Sequence, residues 1–293
     1  MFAQFFGGYL FNRKLCTAED LTQAFEAKKH TRLRLGVLAI NAGLMTAEQV
    51  EHVNITQQSV DKRFGDLAVE LGYVTADDVE KLLAQQPTDY LLLGQTLVNN
   101  GALTNAEFEK AINDYKAENQ LTDDISDNQN EKLHNLIKEF YHFDSAENAR
   151  ICTDYVTLLF KDIIRFIGDD FTPLEASIVN SVNAENIVVQ KIKGSYDATL
   201  CVCADNAPYI AIAERFAKES FAEVDDFVNA TVGEFLNVND GLFIVNESNE
   251  NGVELTLTPQ EFIKNGSVSF TSTAFRIPVS FPFGTIDFII ANE

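Results

Sequence analysis

The sequence has no tryptophan, only two methionines and four cysteines in 293 residues, and it is short of positive charge. Lys and Arg number 22 against 44 Asp and Glu, which gives a formal charge of −22. A surface this acidic repels phosphate backbones, so we do not expect nucleic acid as a partner. No apolar run reaches the length of a membrane span, and no basic segment precedes a long apolar stretch near the start. We therefore expect a cytoplasmic protein that does not insert into membranes.

The few cysteines and histidines give no pattern typical of a disulfide or a metal site. No pair of cysteines has the Cys-x-x-Cys spacing, and the apolar residues around Cys201 and Cys203 are typical of a buried strand. The four histidines are scattered and have no acidic or cysteine partner at metal-ligand spacing. The sequence therefore predicts reduced cysteines in the core and no metal site.

Four threonines recur at a spacing of 29 residues in the first part of the chain: Thr17, Thr46, Thr75 and Thr104. Three residues after each stands an acid or an amide: Asp20, Gln49, Asp78 and Glu107. A hydroxyl followed three residues later by such a side chain is a capping-box pattern, which predicts that a helix starts at each threonine.

Glycines share the register of these threonines. One set, Gly7, Gly36, Gly65 and Gly94, opens a short apolar stretch, and a second set, Gly43, Gly72 and Gly101, closes it, with Lys14 in the first copy. A glycine that accepts a left-handed backbone commonly ends a helix. Residues 1–115 are therefore predicted to be a module of four 29-residue repeats, each a helix, a tight turn and a capped helix.

The chain changes character after this module. Residues 116–132 are rich in acids and amides and poor in apolar residues, which predicts a linker. Residues 133–168 have helical periodicity, strands are expected from about 184, and 206–245 look mostly helical before further strands. Residues 133–293 are therefore predicted to form an α+β domain with two layers and a mostly antiparallel sheet.

One predicted helix of this domain carries Glu234 and Asn237, with Gly241 four residues later. Residues at i and i+3 project from one helix face, so the carboxylate and the amide can act on one partner. The glycine leaves that face flat enough for another backbone to approach.

This Glu-x-x-Asn pair, with Pro259 following after 21 intervening residues, resembles the signature of the CheC/CheX/FliY family of chemotaxis phosphatases, in particular its CheX-like branch. The resemblance covers roughly residues 150–293. It implies dephosphorylation of a phospho-aspartyl response regulator of the CheY type, in which Asn237 holds the attacking water and Glu234 pairs with a receiver lysine. The receiver itself supplies Mg²⁺, so this chain needs no cofactor of its own for that reaction.

The chain departs from the family pattern in two ways. Ala230 stands where the family often has Asp or Ser, and a second register, Asp226-x-x-Asn229 with Gly233, lies eight residues earlier on the same helix. The spacing to Pro259 favours Glu234 and Asn237. The alternative from a different functional class is a catalytically silent adaptor, or a binder of a second messenger, that keeps the fold for homodimerisation or receiver docking.

The repeats resemble the N-terminal domain of type II secretion ATPases, including the MshE-type module that binds cyclic di-GMP. Two 24-residue motifs carry the resemblance, one from Arg34 through Gly36 to Gln57 and one from Arg63 through Gly65 to Gln86. The resemblance implies a cyclic nucleotide ligand, with the arginines on guanine or phosphate and the glutamines on a base edge. The alternative is a docking scaffold whose arginines and glutamines are surface residues.

Overall fold

The computed structural model describes residues 2–28, 30–84, 88–118, 129–143 and 149–292. The chain divides into two units, residues 2–125 and 126–293. None of the helices in the described ranges is long and apolar enough to cross a membrane.

The described part of the first unit consists of eight helices: α1 (Phe2–Asn12), α2 (Ala18–Lys28), α3 (Leu35–Asn41), α4 (Ala47–Gln57), α5 (Phe64–Glu70), α6 (Ala76–Ala84), α7 (Asp89–Asn99) and α8 (Asn105–Glu118). Each predicted repeat is one pair of helices, which confirms the helix, turn and capped helix expected from the 29-residue spacing. Helices of different repeats pack on one another, including α2 on α7, α3 on α6 and α4 on α5. Faces that one repeat leaves open are thereby buried by another.

All four predicted capping boxes are present. At α4 the Gln49 N–H donates to Thr46 Oγ1 at 3.3 Å, and the Thr46 N–H donates to Gln49 Oε1 at 2.9 Å. The same reciprocal pair of bonds joins the threonine and the acid in the other three repeats: Thr17 with Asp20, Thr75 with Asp78, and Thr104 with Glu107. These bonds from threonine lower the pKa of each of the three acids.

The two sets of glycines have different physical roles. Gly43, Gly72 and Gly101 have φ values of 67°, 75° and 78°, and Lys14 adopts φ 58° at the matching position of the first repeat. The predicted left-handed turns are thus confirmed. In the other set, a Cβ on Gly36 would lie 2.7 Å from Val50 Cγ1, so this glycine lets the two helices of its repeat pack closely.

The second unit contains, in its described residues, helices α9 (Gln129–Tyr141), α10 (Ala149–Asp162), α11 (Asn206–Ala217) and α12 (Asp226–Asn251), and a π-helical turn at Ile163–Ile167. Its strands are β1 (Thr172–Pro173), β2 (Ser177–Gly194), β3 (Ala198–Ala204), β4 (Leu255–Leu257), β5 (Glu261–Phe281) and β6 (Gly284–Asn292). They form one sheet in the order β1-β5-β6-β3-β2-β4, and β5 also pairs with β2. All these pairings are antiparallel, which confirms the predicted α+β fold.

Both faces of the sheet are buried around β2 and β3. On one face Val189, Cys201, Cys203 and Ile289 belong to an apolar cluster, and all four cysteines are free and buried. On the opposite face of β2 lie Val188, Gln190 and Ile192, because successive side chains of a strand alternate. Helix α12 packs on β2, and the ring of Phe235 on this helix lies 6.4 Å from that of Phe288 on β6.

The structure differs from the sequence-based boundaries in two places. Lys116–Glu118 end α8 and residues 129–132 begin α9, so the two ends of the predicted linker are helical; 119–128 lie outside the described residues. Strand β2 begins at Ser177 rather than near 184. Its first half is largely polar and exposed, and backbone pairing with β5 holds it in place.

Candidate functional site

Helix α12 carries the predicted catalytic pair. The helix begins where the Val228 N–H donates to Asp225 Oδ1 at 2.9 Å, and it ends at Gly252, which has φ 66°. Val228, Val232, Phe235 and Leu236 are buried and hold one side of the helix on the rest of the unit. Glu234 is exposed on the other side, and Asn237 is half-buried between the two sides.

The structure brings Glu234 and Asn237 together as the i, i+3 spacing predicts. Asn237 Nδ2 lies 3.4 Å from Glu234 Oε2, a long hydrogen bond that leaves the carboxylate accessible. The carbonyl end of the same amide faces the sheet, where Gln190 Nε2 donates to Asn237 Oδ1 at 3.1 Å. The two ends of the Asn237 amide therefore have different surroundings, one facing solvent and one facing the protein.

Gln190 connects Asn237 to the segment that contains Pro259. Gln190 Nε2 donates a second bond, of 2.9 Å, to the Thr258 carbonyl. Thr258 is fixed in turn by β2, since its N–H donates to the Lys191 carbonyl at 2.9 Å and its Oγ1 accepts from the Lys191 N–H at 3.1 Å. Gln190 was not predicted as a site residue, although this glutamine stands out in the apolar run of residues 187–192 of β2.

The solvent face of α12 around Glu234 is open and partly apolar. Phe227 and Val245 keep 58% and 54% of their surface exposed and lie seven residues before and eleven after Glu234, on the same stripe of the helix. A Cβ built on Gly241 would meet no atom within 4 Å. The predicted flat approach beside the pair is therefore present. We call Phe227, Glu234, Val238, Gly241 and Val245 the docking stripe.

The second register on α12 lacks such an approach. Asn229 Oδ1 accepts a hydrogen bond of 3.2 Å from the Tyr209 hydroxyl. A Cβ on Gly233 would lie 3.0 Å from the ring of Phe262, so the surface beside Asp226 and Asn229 is covered. The geometry thus favours Glu234 and Asn237, in agreement with the spacing to Pro259.

Further along α12, Asp240 is a fully buried carboxyl group. The Tyr155 hydroxyl donates to Asp240 Oδ1 at 2.8 Å, while Oδ2 has no hydrogen-bond partner among the described residues. Burial raises the pKa of Asp240 to about 8. The carboxyl group is next to the site in sequence, but it faces the interior and is not exposed to a docking partner. No group of three His, Cys, Asp or Glu side chains in the described part of the chain is arranged to hold a metal ion.

In the first unit, a cavity of about 320 Å³ contains part of the predicted nucleotide site. Arg34, Gly36 and Gln57 of the first motif line it, together with Asn54 from within that motif and two polar side chains from outside it, Gln95 and Asn105. Arg63 and Gly65 of the second motif are not among its lining residues, and Gln86 lies outside the described residues. Packing accounts for Gly65, because a Cβ there would lie 3.1 Å from Leu35 and from Val79.

Comparison with known proteins gives a family match in the second unit only. Residues 187–284 match the family model described as Chemotaxis phosphatase CheX, a range that contains Gln190, Glu234, Asn237 and Thr258. No curated protein matches the chain.

Several solved structures are similar to about half of the chain. The chemotaxis protein CheX from Desulfovibrio desulfuricans is 18% identical, with 49% of this chain and 99% of that chain covered and a TM-score of 0.44. A CheC-like superfamily protein from Shewanella sp. PV-4 is 17% identical, with 50% and 99% covered and a TM-score of 0.45. The CheX–CheY–BeF₃–Mg²⁺ complex from Borrelia burgdorferi gives 19% identity, 49% and 97% coverage and a TM-score of 0.43.

Proposed function

We propose that the second unit, whose residues 187–284 form a CheX-like domain, is a phosphatase that removes the phosphoryl group from a phospho-aspartyl receiver of the CheY type. The observation that carries the proposal is the pairing of an exposed carboxylate with a fixed amide on an open helix face. The family match over the same residues supports it.

In this reaction the main role of the chain would be to position the attacking water and the receiver. Water attacks the phosphorus of an acyl phosphate, and the aspartate carboxylate leaves as the P–O bond breaks. Such reactions depend mainly on alignment and on stabilising charge, and Mg²⁺ bound by the receiver would supply the charge. An amide N–H can donate to a water oxygen, so the outward Nδ2 group of Asn237 would hold the water in line.

Glu234 would dock the receiver. An exposed carboxylate on the docking stripe is suited to a lysine ammonium, and such a charged pair gains strength when the interface excludes water. Phe227 and Val245 extend the stripe with apolar surface on both sides of the pair. Gly241 lets the partner backbone approach without a side chain in the way.

The test separates these two roles by steady-state kinetics on a phosphorylated receiver. Asn237→Ala is expected to lower kcat by about 100-fold or more with little change in KM, because it removes the group that aligns water. Glu234→Gln is expected to raise KM about tenfold or more, because the negative charge that pairs with the lysine ammonium is lost. Equal effects of both variants on KM alone would contradict the assignment of Asn237 to the chemical step.

We propose a second function for the first unit, the binding of a guanine nucleotide such as cyclic di-GMP. The supporting observation is the cavity lined by Arg34, Gln57 and the amides of Asn54, Gln95 and Asn105. Arginine and amide groups together suit a phosphate and a base edge.

Calorimetric titration with cyclic di-GMP tests this second proposal. Arg34→Ala should abolish the heat of binding, while Arg63→Ala, outside the cavity lining, should reduce it less. No heat from the wild-type protein would refute the proposal. In that case the repeats would be interpreted as a docking scaffold, the alternative to nucleotide binding.

A further inference from the structure

The orientation of the Asn237 amide is set from inside the protein. A terminal amide torsion is broad, so the oxygen and nitrogen ends of an asparagine can exchange unless a partner selects one orientation. The bond from Nδ2 to Glu234 is long, at 3.4 Å, and its acceptor is an exposed and rotatable carboxylate. The bond that Asn237 Oδ1 accepts from Gln190 is shorter, at 3.1 Å, and its donor is 1% exposed. Gln190 therefore determines which end of the amide faces the solvent.

We infer that Gln190 is a positioning residue for the phosphatase reaction, an inference that rests on the proposed function. Both hydrogens of its Nε2 group have acceptors: the Thr258 carbonyl at 2.9 Å and Asn237 Oδ1 at 3.1 Å. Gln190 can thus present only a donor to Asn237. The Asn237 oxygen must turn inward, and its Nδ2 group must turn outward toward the docking stripe.

The frame around Gln190 is rigid. It lies on β2, which pairs with β3 on one side and with β4 and β5 on the other. Thr258 is bonded to both backbone groups of Lys191, the next residue on that strand. The side-chain oxygen Oε1 of Gln190 is buried and has no hydrogen-bond partner among the described residues. An apolar side chain would avoid this unsatisfied atom, but it would leave the Thr258 carbonyl and Asn237 Oδ1 without the donor that Gln190 supplies.

The bond from Gln190 has two consequences for a water molecule at the site. It fixes the outward Nδ2 group within hydrogen-bonding reach of a molecule held between this helix and a docked partner. It also polarises the amide, because hydrogen bonds in a chain strengthen one another, and the outward N–H becomes a better donor. Gln190 never touches the substrate and acts only through Asn237.

Substitutions at Gln190 test this role. Gln190→Met keeps the unbranched shape but removes both donors, and Gln190→Leu also removes them with another apolar side chain of similar size. We expect kcat to fall about tenfold or more in each variant while KM stays within about twofold, since Glu234 is untouched. In the Asn237→Ala background Gln190→Met should cause no further loss, because the amide that it orients is gone.

The matched control is Asn186→Leu. Asn186 is a buried amide on the same strand and face, and it donates to Asn206 Oδ1 at 2.9 Å, away from Asn237. Its substitution should lower stability by removing a buried hydrogen bond and leave kcat unchanged. This variant separates loss of a buried amide in general from loss of the bond to Asn237.

A second measurement does not depend on activity. In ¹⁵N spectra the Nδ2 resonances of Asn237, identified by their absence in Asn237→Asp, should shift in Gln190→Met and stay in place in Asn186→Leu. If the wild-type protein is active, three results would overturn the inference alone. They are an unchanged kcat in both Gln190 variants, Asn237 resonances that do not shift in Gln190→Met, and a full further loss of kcat when Gln190→Met is added to Asn237→Ala. No acceleration by the wild-type protein would overturn the proposed function, and the inference would fail with it.

Discussion

Substitutions at Gly241 distinguish a glycine that is needed for folding from one that is needed for docking of a partner. It lies inside α12, where glycine is about 1 kcal/mol less favourable than alanine. Its backbone is not in the left-handed region, and an added Cβ would meet no atom within 4 Å. Neither conformation nor packing within this unit therefore calls for glycine. Gly241→Ala should raise the free energy of unfolding by about 0.5–1 kcal/mol.

Scanning calorimetry of the full chain measures this effect. For a unit the size of residues 126–293, about 1 kcal/mol corresponds to a rise in Tm of roughly 2–4 °C. A fall in Tm would refute the reasoning, because it would show that the position is sterically constrained by the fold.

A larger side chain at the same position tests the partner's requirement. Gly241→Leu should fold at least as stably as the wild type, since leucine is also a good helix former. Its side chain would cover the docking stripe beside Asn237 and raise the KM for a phosphorylated receiver about tenfold or more. Asn246→Leu, exposed on the same helix about 120° around its axis from Glu234, is the control and should leave KM unchanged. Equal KM values for the two variants would contradict the assignment of this face as the docking surface.

Three further predictions concern stability. Gly94→Ala should lower the free energy of unfolding in urea by about 1–3 kcal/mol, since its Cβ would collide with the buried ring of Phe108; an unchanged midpoint would contradict this packing. The pKa of Asp240 is raised from 3.8 to about 8, so between these pH values the folded state binds more protons than the unfolded state. The free energy of unfolding therefore falls as the pH rises from 3.8 to about 8, by up to about 1.4 kcal/mol per pH unit. Asp240→Asn should remove that slope and be the more stable form at pH 8, and parallel Tm profiles from pH 5 to 8 would refute it. The capping acids have the opposite pH dependence, because their pKa values in the folded state lie below the ordinary 3.8 and 4.5. The stability that they contribute is therefore present above the ordinary pKa values and is lost as the pH falls through the lower pKa values of the folded state. Replacing Asp20, Asp78 and Glu107 by amides should flatten the loss of stability of the repeats below pH 4, and an unchanged acid limb would contradict this account.

Local chemistry made much of the fold predictable. The capping boxes at Thr17, Thr46, Thr75 and Thr104 and the left-handed turns at Gly43, Gly72 and Gly101 depend on residues a few positions apart, and the structure confirms both sets. Glu234 and Asn237 were predictable for the same reason, because a helix places i and i+3 on one face.

Features that depend on distant partners were not predictable in this way. The first half of β2 has no apolar run, and it is a strand because β5, more than 80 residues later, pairs with it. Gln190 stands out in its strand, but its partner Asn237 is 47 residues away, and only the packing of α12 on β2 brings them together. The polar lining of the cavity in the repeats likewise adds Gln95 and Asn105 from a repeat outside the two motifs.

The most direct test of the central claim is the single-turnover decay of a ³²P-labelled receiver mixed with an excess of this protein. Wild-type protein should accelerate the loss of label, and Asn237→Ala, at the same saturating concentration, should lower the rate by about 100-fold or more. Decay that is no faster than that of the receiver alone, or that is equally fast with Asn237→Ala, would contradict the central claim.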